Sequence, residues 1–295
     1  MRLRYRPRGC DVSVALKISK FLAMPAKAKY VAVAQRFRRV FPRLPIPIRL
    51  PFGAWWIAEN SALDFNLLTI GFENAEIQFV SRFLQPGMTV LDIGAHHGLY
   101  TLLASKRVGR NGKVFAFEPS PRERRRLVRH VRLNGCSNVQ VEPYALGNSQ
   151  TQADLFLSGG TNDWCNSLRR QAAGGDSQPV RVDVLPLDEY LAKSGFDRVD
   201  FIKLDVEGAE LGVLKGAAKL LNTSLRPVIL CEVQDQRTAP WEYAASKIIE
   251  YLSSCGYSWF QLDGKGSTYP LAIMDGDYDG NFVAVPEELV GILKA

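Results

Sequence analysis

The chain has 295 residues, 46% of them apolar, enough for one large α/β domain with an extension or at most two domains, which excludes global disorder. Its five cysteines, Cys10, Cys136, Cys165, Cys231 and Cys255, are scattered and odd in number, with no C-x-x-C spacing. They predict neither a disulfide framework nor a zinc site, and a reducing, cytoplasmic setting fits them.

The net charge of +7 is unevenly placed. Residues 1–50 hold about thirteen Lys and Arg against one acid, Asp11, so the remainder is mildly acidic. We read 1–50 as a basic arm and 51–295 as the folded domain. In the arm, Leu16, Ile18, Phe21, Leu22, Val31, Val33, Phe37, Val40 and Phe41 are interleaved with lysines and arginines. This pattern predicts amphipathic helices broken near Pro25 and Pro42. Such helices lie on anionic membrane surfaces, so peripheral contact with the inner membrane surface is one expectation. A solvated arm packing on its own domain is the other. No recognition motif accompanies the charge, so no nucleic acid is expected. Lys17 and Lys20 interrupt the apolar run from Val12 to Leu22, which argues against a signal peptide. No apolar run is long enough to span a bilayer.

Pro42, Pro45, Pro47 and Pro51 then predict an extended linker. Phe52 to Leu68 follows, with Trp55, Trp56 and Phe65, and Glu73 to Phe83 reads as an amphipathic helix. Pro86-Gly87 turns into a strand around Val90, followed by a helix from Leu99 to Arg107 and a strand at Val114. Ser120 and Pro121 open the next helix as cap and first residue. Its Arg122, Arg124, Arg125, Arg126, Arg129 and Arg132 read as a solvated face, with His130 among them at the surface. A strand spans Asn138 to Tyr144, and a polar, glycine-rich loop runs from Ser158 to Gln178 around Trp164. Strands at Val180–Val184, Val199–Val206, Val228–Val233, Trp259–Leu262 and Asn281–Val285 alternate with helices at Asp188–Lys193, Ala209–Leu221 and Tyr243–Ser254. This order predicts a mostly parallel sheet covered on both faces.

Two stretches carry chemistry. In the first, the strand Val90-Leu91-Asp92-Ile93 enters the turn Gly94-Ala95-His96-His97-Gly98, and about twenty residues later the strand Val114-Phe115-Ala116-Phe117 ends in Glu118. Glycine serves where backbone turns sharply or nears a ligand. A carboxylate ending the second strand can accept hydrogen bonds from both ribose hydroxyls. The dinucleotide fingerprint G-x-G-x-x-G is absent, and Asp92 in the turn would repel a pyrophosphate. The acid suits the cationic amino-acid end of S-adenosylmethionine (SAM). The expected cofactor residues are therefore Asp92, Gly94, Ala95, Gly98 and Glu118.

The second stretch is Lys203-Leu204-Asp205-Val206-Glu207-Gly208-Ala209-Glu210. Alternation places Phe201, Lys203 and Asp205 on one side of a strand. A lysine in a buried strand needs a partner, and Asp205 falls at the carboxyl end, where ligands of such sheets bind. Glu207 and Glu210 sit at a helix start, where the dipole favours acids. The strand Val228-Ile229-Leu230-Cys231-Glu232 brings Glu232 to the same rim. Asp205, Lys203, Glu207 and Glu232 are the expected catalytic residues. The acids could also hold a divalent metal, although no spacing assigns one. His96 and His97 are further candidates for a base.

Together these stretches resemble the FkbM family of SAM-dependent methyltransferases. The match includes Asp92-Ile93-Gly94-Ala95, Gly98-Leu99-Tyr100-Thr101, Phe117-Glu118-Pro119 and Ala145-Leu146-Gly147. It continues with Leu187-Asp188, Ile202 to Glu210, Leu214-Lys215-Gly216-Ala217 and Glu232. The resemblance implies a class I methyltransferase fold, Rossmann-like, with a mostly parallel seven-stranded sheet. It also implies methylation of a hydroxyl oxygen on a sugar, glycolipid or polyketide-type acceptor, and places Ala145 near the adenine. His96 departs from the asparagine usual in the family. The rival expectations are methylation of nitrogen on an amino sugar or basic side chain, and a non-catalytic SAM-fold module recruited to membranes.

Overall fold

The computed structural model describes residues 45–59, 61, 63–64, 67, 72–158, 166–170, 179–195, 198–272 and 276–294. The chain divides into two compact units, residues 1–46 with 58–72 and residues 47–57 with 73–295. In the first, the Asp64 carboxylate accepts the backbone N–H groups of Glu59 and Ser61, at 2.7 and 2.9 Å. Nearly all of the basic arm, and Trp164 with most of its loop, lie outside the described residues. Among those described, no helix is long and apolar enough to cross a membrane.

In chain order, the strands β1 (Ile46–Arg49) and β2 (Trp55–Ala58) come first, then α1 (Asn74–Phe83). Next come β3 (Thr89–Ile93), α2 (Leu99–Val108), β4 (Lys113–Phe117), α3 (Pro121–Leu133) and β5 (Val139–Glu142). A small sheet is built from β6 (Ala145–Leu146), β7 (Thr151–Leu155) and β8 (Val180–Leu185). After α4 (Leu187–Ser194) follow β9 (Phe201–Leu204), α5 (Glu210–Lys215), α6 (Ala218–Leu221) and β10 (Val228–Gln234). The chain closes with α7 (Asp235–Thr238), α8 (Ser246–Ser254), β11 (Tyr257–Leu262), β12 (Thr268–Pro270) and β13 (Asp279–Pro286).

The main sheet has the order β12-β11-β13-β10-β9-β3-β4-β5. Neighbours from β5 to β10 pair in parallel, while β13 runs antiparallel to both β10 and β11. Seven of these strands form the expected class I methyltransferase sheet. The eighth, β12, adds a short antiparallel edge beside β11. Burial on both faces explains why the central strands read as nearly continuous apolar runs. Leu91, Ile93, Phe115, Phe117, Ile202 and Leu204 fill the core on one face. Val90, Val114, Phe201, Val228 and Leu230 fill the other, beneath Phe79, Val80 and Leu84 of α1 and Tyr100 and Leu103 of α2.

The departures from expectation have local causes. The supposed linker is partly β1, which turns through Gly53 (φ 88°) into β2. Trp56 is fully buried while Trp55 is exposed, the alternation of a half-covered strand. Side chains of α3 and of Asn134, which caps its end, satisfy the free backbone of β2. Asn134 accepts from Trp55 N and donates to Trp55 O, both at 2.7 Å, and His130 Nε2 accepts from Ile57 N at 3.0 Å. The helix expected over Ala209–Leu221 is split in two. At the break a Cβ on Gly216 would lie 2.0 Å from the Gly147 carbonyl oxygen, so only glycine lets the two backbones touch. The β7 strand was not foreseen because its sequence, TQADL, is mostly exposed and offers no apolar alternation.

Candidate functional site

The chain passes from β3 through β4 to β5 on one side, then returns to place β9 on the other. That reversal leaves a crevice at the carboxyl ends of β3 and β9, the position where open α/β sheets bind ligands. The turn Gly94–Gly98 sits there. Gly94 and Gly98 have φ of 85° and 93°, a region that side chains disfavour. A Cβ on Gly94 would lie 1.8 Å from the Asp205 carbonyl oxygen, and one on Gly98 would lie 2.5 Å from Leu127 Cδ1. Packing of the turn against its own neighbours thus already requires both glycines. The N–H groups of Gly94 and Ala95 both donate to Phe117 O at 3.0 Å. His96 has φ 49°, a left-handed backbone that histidine, like asparagine, tolerates. This explains how histidine can stand where asparagine is usual.

Glu118 fastens the turn. Its Oε2 accepts His96 N at 2.7 Å and its Oε1 accepts Ser120 N at 2.8 Å. The side chain is buried, which pushes its carboxyl up to about 8 against the lowering pull of these two donors. A carboxylate offers about four lone-pair sites, so each oxygen retains one. Asp92, at the end of β3, is buried and accepts the Thr101 hydroxyl; burial raises its carboxyl to about 6. Ala95 packs with Ala116 and Leu127. Ala145 lies in the core of the small sheet with Leu155, Val182 and Val184.

The second constellation forms a polar layer above one apolar core. Register sets Asp92 beside Lys203 and Glu232 beside Asn281. Lys203, only 2% exposed, donates to Asp205 Oδ2 at 3.1 Å and to Asn281 Oδ1 at 2.9 Å, with its Nζ 5.3 Å from the centre of the Tyr100 ring. Burial alone would lower its pKa, but Asp205, Glu73 and Glu232 raise it further, so it stays charged. Asp205 is the more open member of the pair, with 29% of its side chain exposed. Glu207 has φ 56° and meets Arg237 Nε at 2.9 Å. Glu210 turns inward and accepts Val206 N and Gly208 N at 3.0 and 3.2 Å, so its carboxylate closes the loop before α5.

Two members of this layer escaped sequence reasoning. Glu73 precedes α1 in a left-handed conformation, accepts the Tyr100 hydroxyl and receives Asn281 Nδ2 at 3.4 Å. Burial raises its carboxyl to about 7. Glu73 read only as a helix start, and Asn281, 208 residues away, gave no local signal.

The expectation of a surface His130 is overturned. Its ring is buried, stacks on Trp56 at 4.1 Å and lies 2.8 Å from His97 O through Nδ1, because α3 turns this residue toward β2. The arginine face is also only partly solvated. Arg124 donates to the carbonyls of Glu118 and Pro119 at 2.8 Å, and Arg126 approaches His97 Nε2 at 3.3 Å. His97 is buried, and burial, with the neighbouring cations, holds its pKa well below the usual imidazole value. The Ser120 hydroxyl contacts the buried Glu123 carboxylate.

The sequence profile described as Methyltransferase FkbM domain matches residues 92–259. AMB antimetabolite synthetase AmbE of Pseudomonas aeruginosa is 26% identical over 209 residues, covering 59% of this chain and 10% of that protein. Methyltransferase 1 of Beauveria bassiana is 27% identical, covering 43% of this chain and 57% of that one. The chain therefore spans about a tenth and rather more than half of these two relatives. The 2-O-methyltransferase NoeI of Sinorhizobium fredii is 26% identical over 193 residues, 60% of this chain and 76% of that protein. Among solved structures, methyltransferase FkbM from Methylobacillus flagellatus aligns with a TM-score of 0.43 at 17% identity, covering 76% of this chain and 53% of that one.

Proposed function

Because this chain belongs to the FkbM family of methyltransferases, we propose that it transfers a methyl group from SAM to a hydroxyl oxygen of a sugar, glycolipid or related small acceptor. The observation that carries this reading is the crevice itself. A glycine turn tied to Glu118 lies on one side and an acid rim centred on Asp205 on the other, joined where Gly94 meets the Asp205 backbone.

The residues present fit the cofactor. The free lone pairs of Glu118 suit ribose hydroxyls, and Asp92 at the turn suits a cationic amino-acid end. Gly94, Ala95 and Gly98 would shape that end, and Ala145 would border the adenine. When bound, SAM supplies a methyl group already activated by its sulfonium. The chain then has to align an acceptor oxygen and take its proton. Asp205 is our candidate to take the proton, since its side chain is 29% exposed against 12% for that of Glu207. Lys203 stays charged and holds Asp205 in position, so we assign it positioning rather than proton transfer. Burial raises the carboxyls of Glu207 and Glu232, which favours their protonated forms and makes them weaker candidates for the base. An amine acceptor would also be drawn to this rim, and product analysis separates the two. Purified protein given SAM and cell-extract fractions should form S-adenosylhomocysteine and a product carrying one added CH2 on oxygen. A methyl group found on nitrogen would replace this reading, and absence of turnover with every fraction would favour a non-catalytic module.

Glu118→Ala should weaken SAM binding roughly ten- to a hundredfold, since hydrogen bonds to a charged group contribute about 1.5–3 kcal/mol. Ribose donors favour the ionised carboxylate, and burial holds Glu118 near 8. Affinity in the wild type should therefore rise as pH passes from about 6.5 to 9, with the Glu118-dependent part of the rise missing in the variant. Calorimetry across this range checks both. Equal affinity in wild type and a folded variant would remove Glu118 from the cofactor site.

The charge of residues 1–50 supports a second element of the proposal, attachment of the arm to an anionic bilayer near a lipid-linked acceptor. Each basic residue near such a surface contributes about 1 kcal/mol at best, and salt screens it. Co-sedimentation with phosphatidylserine vesicles should weaken as salt rises and vanish on deletion of the arm. Equal sedimentation with and without the arm would discard the idea.

A further inference from the structure

We infer that one side of the folded domain is a docking face for an anionic lipid bilayer, formed by Arg125, Arg129 and Arg132 of α3 with Trp55 and Leu133. This contact is separate from the basic arm and does not depend on which atom accepts the methyl group. Charge is segregated here. Residues 99–113 and 121–141 carry ten lysines and arginines against one acid, Glu123, and that acid is buried. The rest of the domain is acidic, so the imbalance is local to these two segments.

The fold brings the segments together. α2 and α3 cover the same face of the sheet, where Tyr100, Leu103 and Val108 pack on Val90 and Val114, and Leu127 packs on Ala116. The end of α2 is joined to the chain that follows α3, since Asn138 Nδ2 donates to Ser105 O and Gly109 O at 3.1 and 2.9 Å. α2 is buried along most of its length, and its exposed Lys106 and Arg107 emerge at that joint. On α3, Arg125, Arg129 and Arg132 are exposed and spaced four and three residues apart, so they share one side over about 10 Å of helix. Leu133, four residues after Arg129, continues that side and is 45% exposed. Asn134 then ties α3 to β2 through its two hydrogen bonds with the Trp55 backbone. This sets Trp55, also 45% exposed, beside the same end of the helix.

A solvated helix face accounts for the arginines but not for the apolar pair. Among the described residues four large apolar side chains stand well exposed, and two of the four meet here. Arginines flanked by Trp and Leu suit the headgroup layer of a bilayer. Guanidinium groups pair with lipid phosphates, and the aromatic and aliphatic side chains enter the acyl boundary. Nucleic acid would use the charge and leave Leu133 without a role. The other arginines of α3 are engaged by protein groups. Arg124 donates to Glu118 O, Arg126 approaches His97, and Arg122 pairs with Glu123 and donates to Ser158 O at 3.0 Å. The docking charge is therefore the outer stripe. α3 begins at Pro121, three residues after Glu118, so a bilayer lying along the stripe runs past the cofactor end of the crevice, where a lipid-linked acceptor would enter.

Stable anchoring of a peripheral protein takes two signals, and this face supplies one beside the arm. The test uses the full-length protein with vesicles of phosphatidylserine and phosphatidylcholine. The triple variant Arg125→Gln, Arg129→Gln, Arg132→Gln should partition roughly ten- to a hundredfold less than wild type, each lost charge contributing about fivefold at best. These side chains are exposed, so its unfolding midpoint should match that of the wild type. A second readout needs no arginine variant. Vesicles of brominated lipid should quench the tryptophan fluorescence of the wild type, and part of that quenching should be missing in Trp55→Phe. Vesicle binding kept in full by the folded triple variant would belong to the arm alone and would overturn the face. Equal quenching in wild type and Trp55→Phe would overturn it too, as would a triple variant that loses a duplex DNA probe but not vesicles. No vesicle binding by the wild type would overturn both the face and the arm. Neither readout involves turnover, so failure of the face leaves the methyl-transfer reading standing.

Discussion

Turnover of Asp205→Asn should fall roughly 10²- to 10⁴-fold at saturating SAM, the range contributed by a positioned proton acceptor. The substitution keeps the shape of the side chain and an oxygen for Lys203 Nζ, which stands 3.1 Å from the carboxylate. It leaves untouched the two backbone links of this residue to the cofactor side. These are the hydrogen bond from Asp205 N to Ile93 O at 3.0 Å and the carbonyl against which Gly94 packs. SAM affinity should therefore stay within about twofold, and the loss should appear in kcat rather than in cofactor binding. Single-turnover kinetics with calorimetry on the same preparation makes the comparison. Turnover near the wild-type value in a folded variant would move proton removal to Glu232 or Glu207.

Lys203→Met should destabilise the protein by about 3–5 kcal/mol, the cost of breaking a buried ion pair and leaving its partner uncompensated. Methionine has similar length and can occupy the same slot, so lost volume is a minor part of the effect. The removed charge is what holds Asp205 and Asn281 and lies over the Tyr100 ring. The sign of the pH dependence follows from the carboxyls around it. Burial already raises Glu73 to about 7 and Asp92 to about 6, and in both cases Lys203 pulls the value down. Without the lysine these groups take up protons more readily, and protonation removes the uncompensated charge. The deficit relative to wild type should thus be largest near pH 8 and shrink as pH falls toward about 5.5. Denaturant unfolding at both pH values measures it. A deficit below about 1 kcal/mol, or one that does not change with pH, would show that this pair contributes little.

The two strand–turn units were legible in the sequence because their information is local. Asp92, Gly94, Gly98 and Glu118 lie within one strand–helix–strand segment, and their spacing follows from the lengths of those elements. The same holds for Lys203 and Asp205, whose shared side of β9 follows from two-residue alternation. Glu73 and Asn281 were invisible for the opposite reason. They meet only because α1 covers one face of the sheet and β13 pairs beside β10, a coincidence of register between distant segments. His130 was misread for a related reason. A run of arginines on one helix describes a solvated face until β2 is laid against it, and then the histidine becomes the acceptor for Ile57 and a platform for Trp56.

By itself, then, the sequence determined the α/β class, the order of the central strands and helices, the glycine turn and the acids at the strand ends. All of these are written in periodicities and spacings of a few residues. The tertiary structure decided what each charge costs and whom it serves. Lys203 became a buried cation shared by three elements, Glu118 the brace of the turn, Glu210 the closure of a loop, and Glu207 the partner of Arg237. The physical reason is that burial and pairing depend on which distant segments the sheet brings side by side, and a buried charge has no fixed meaning until its neighbours are in place.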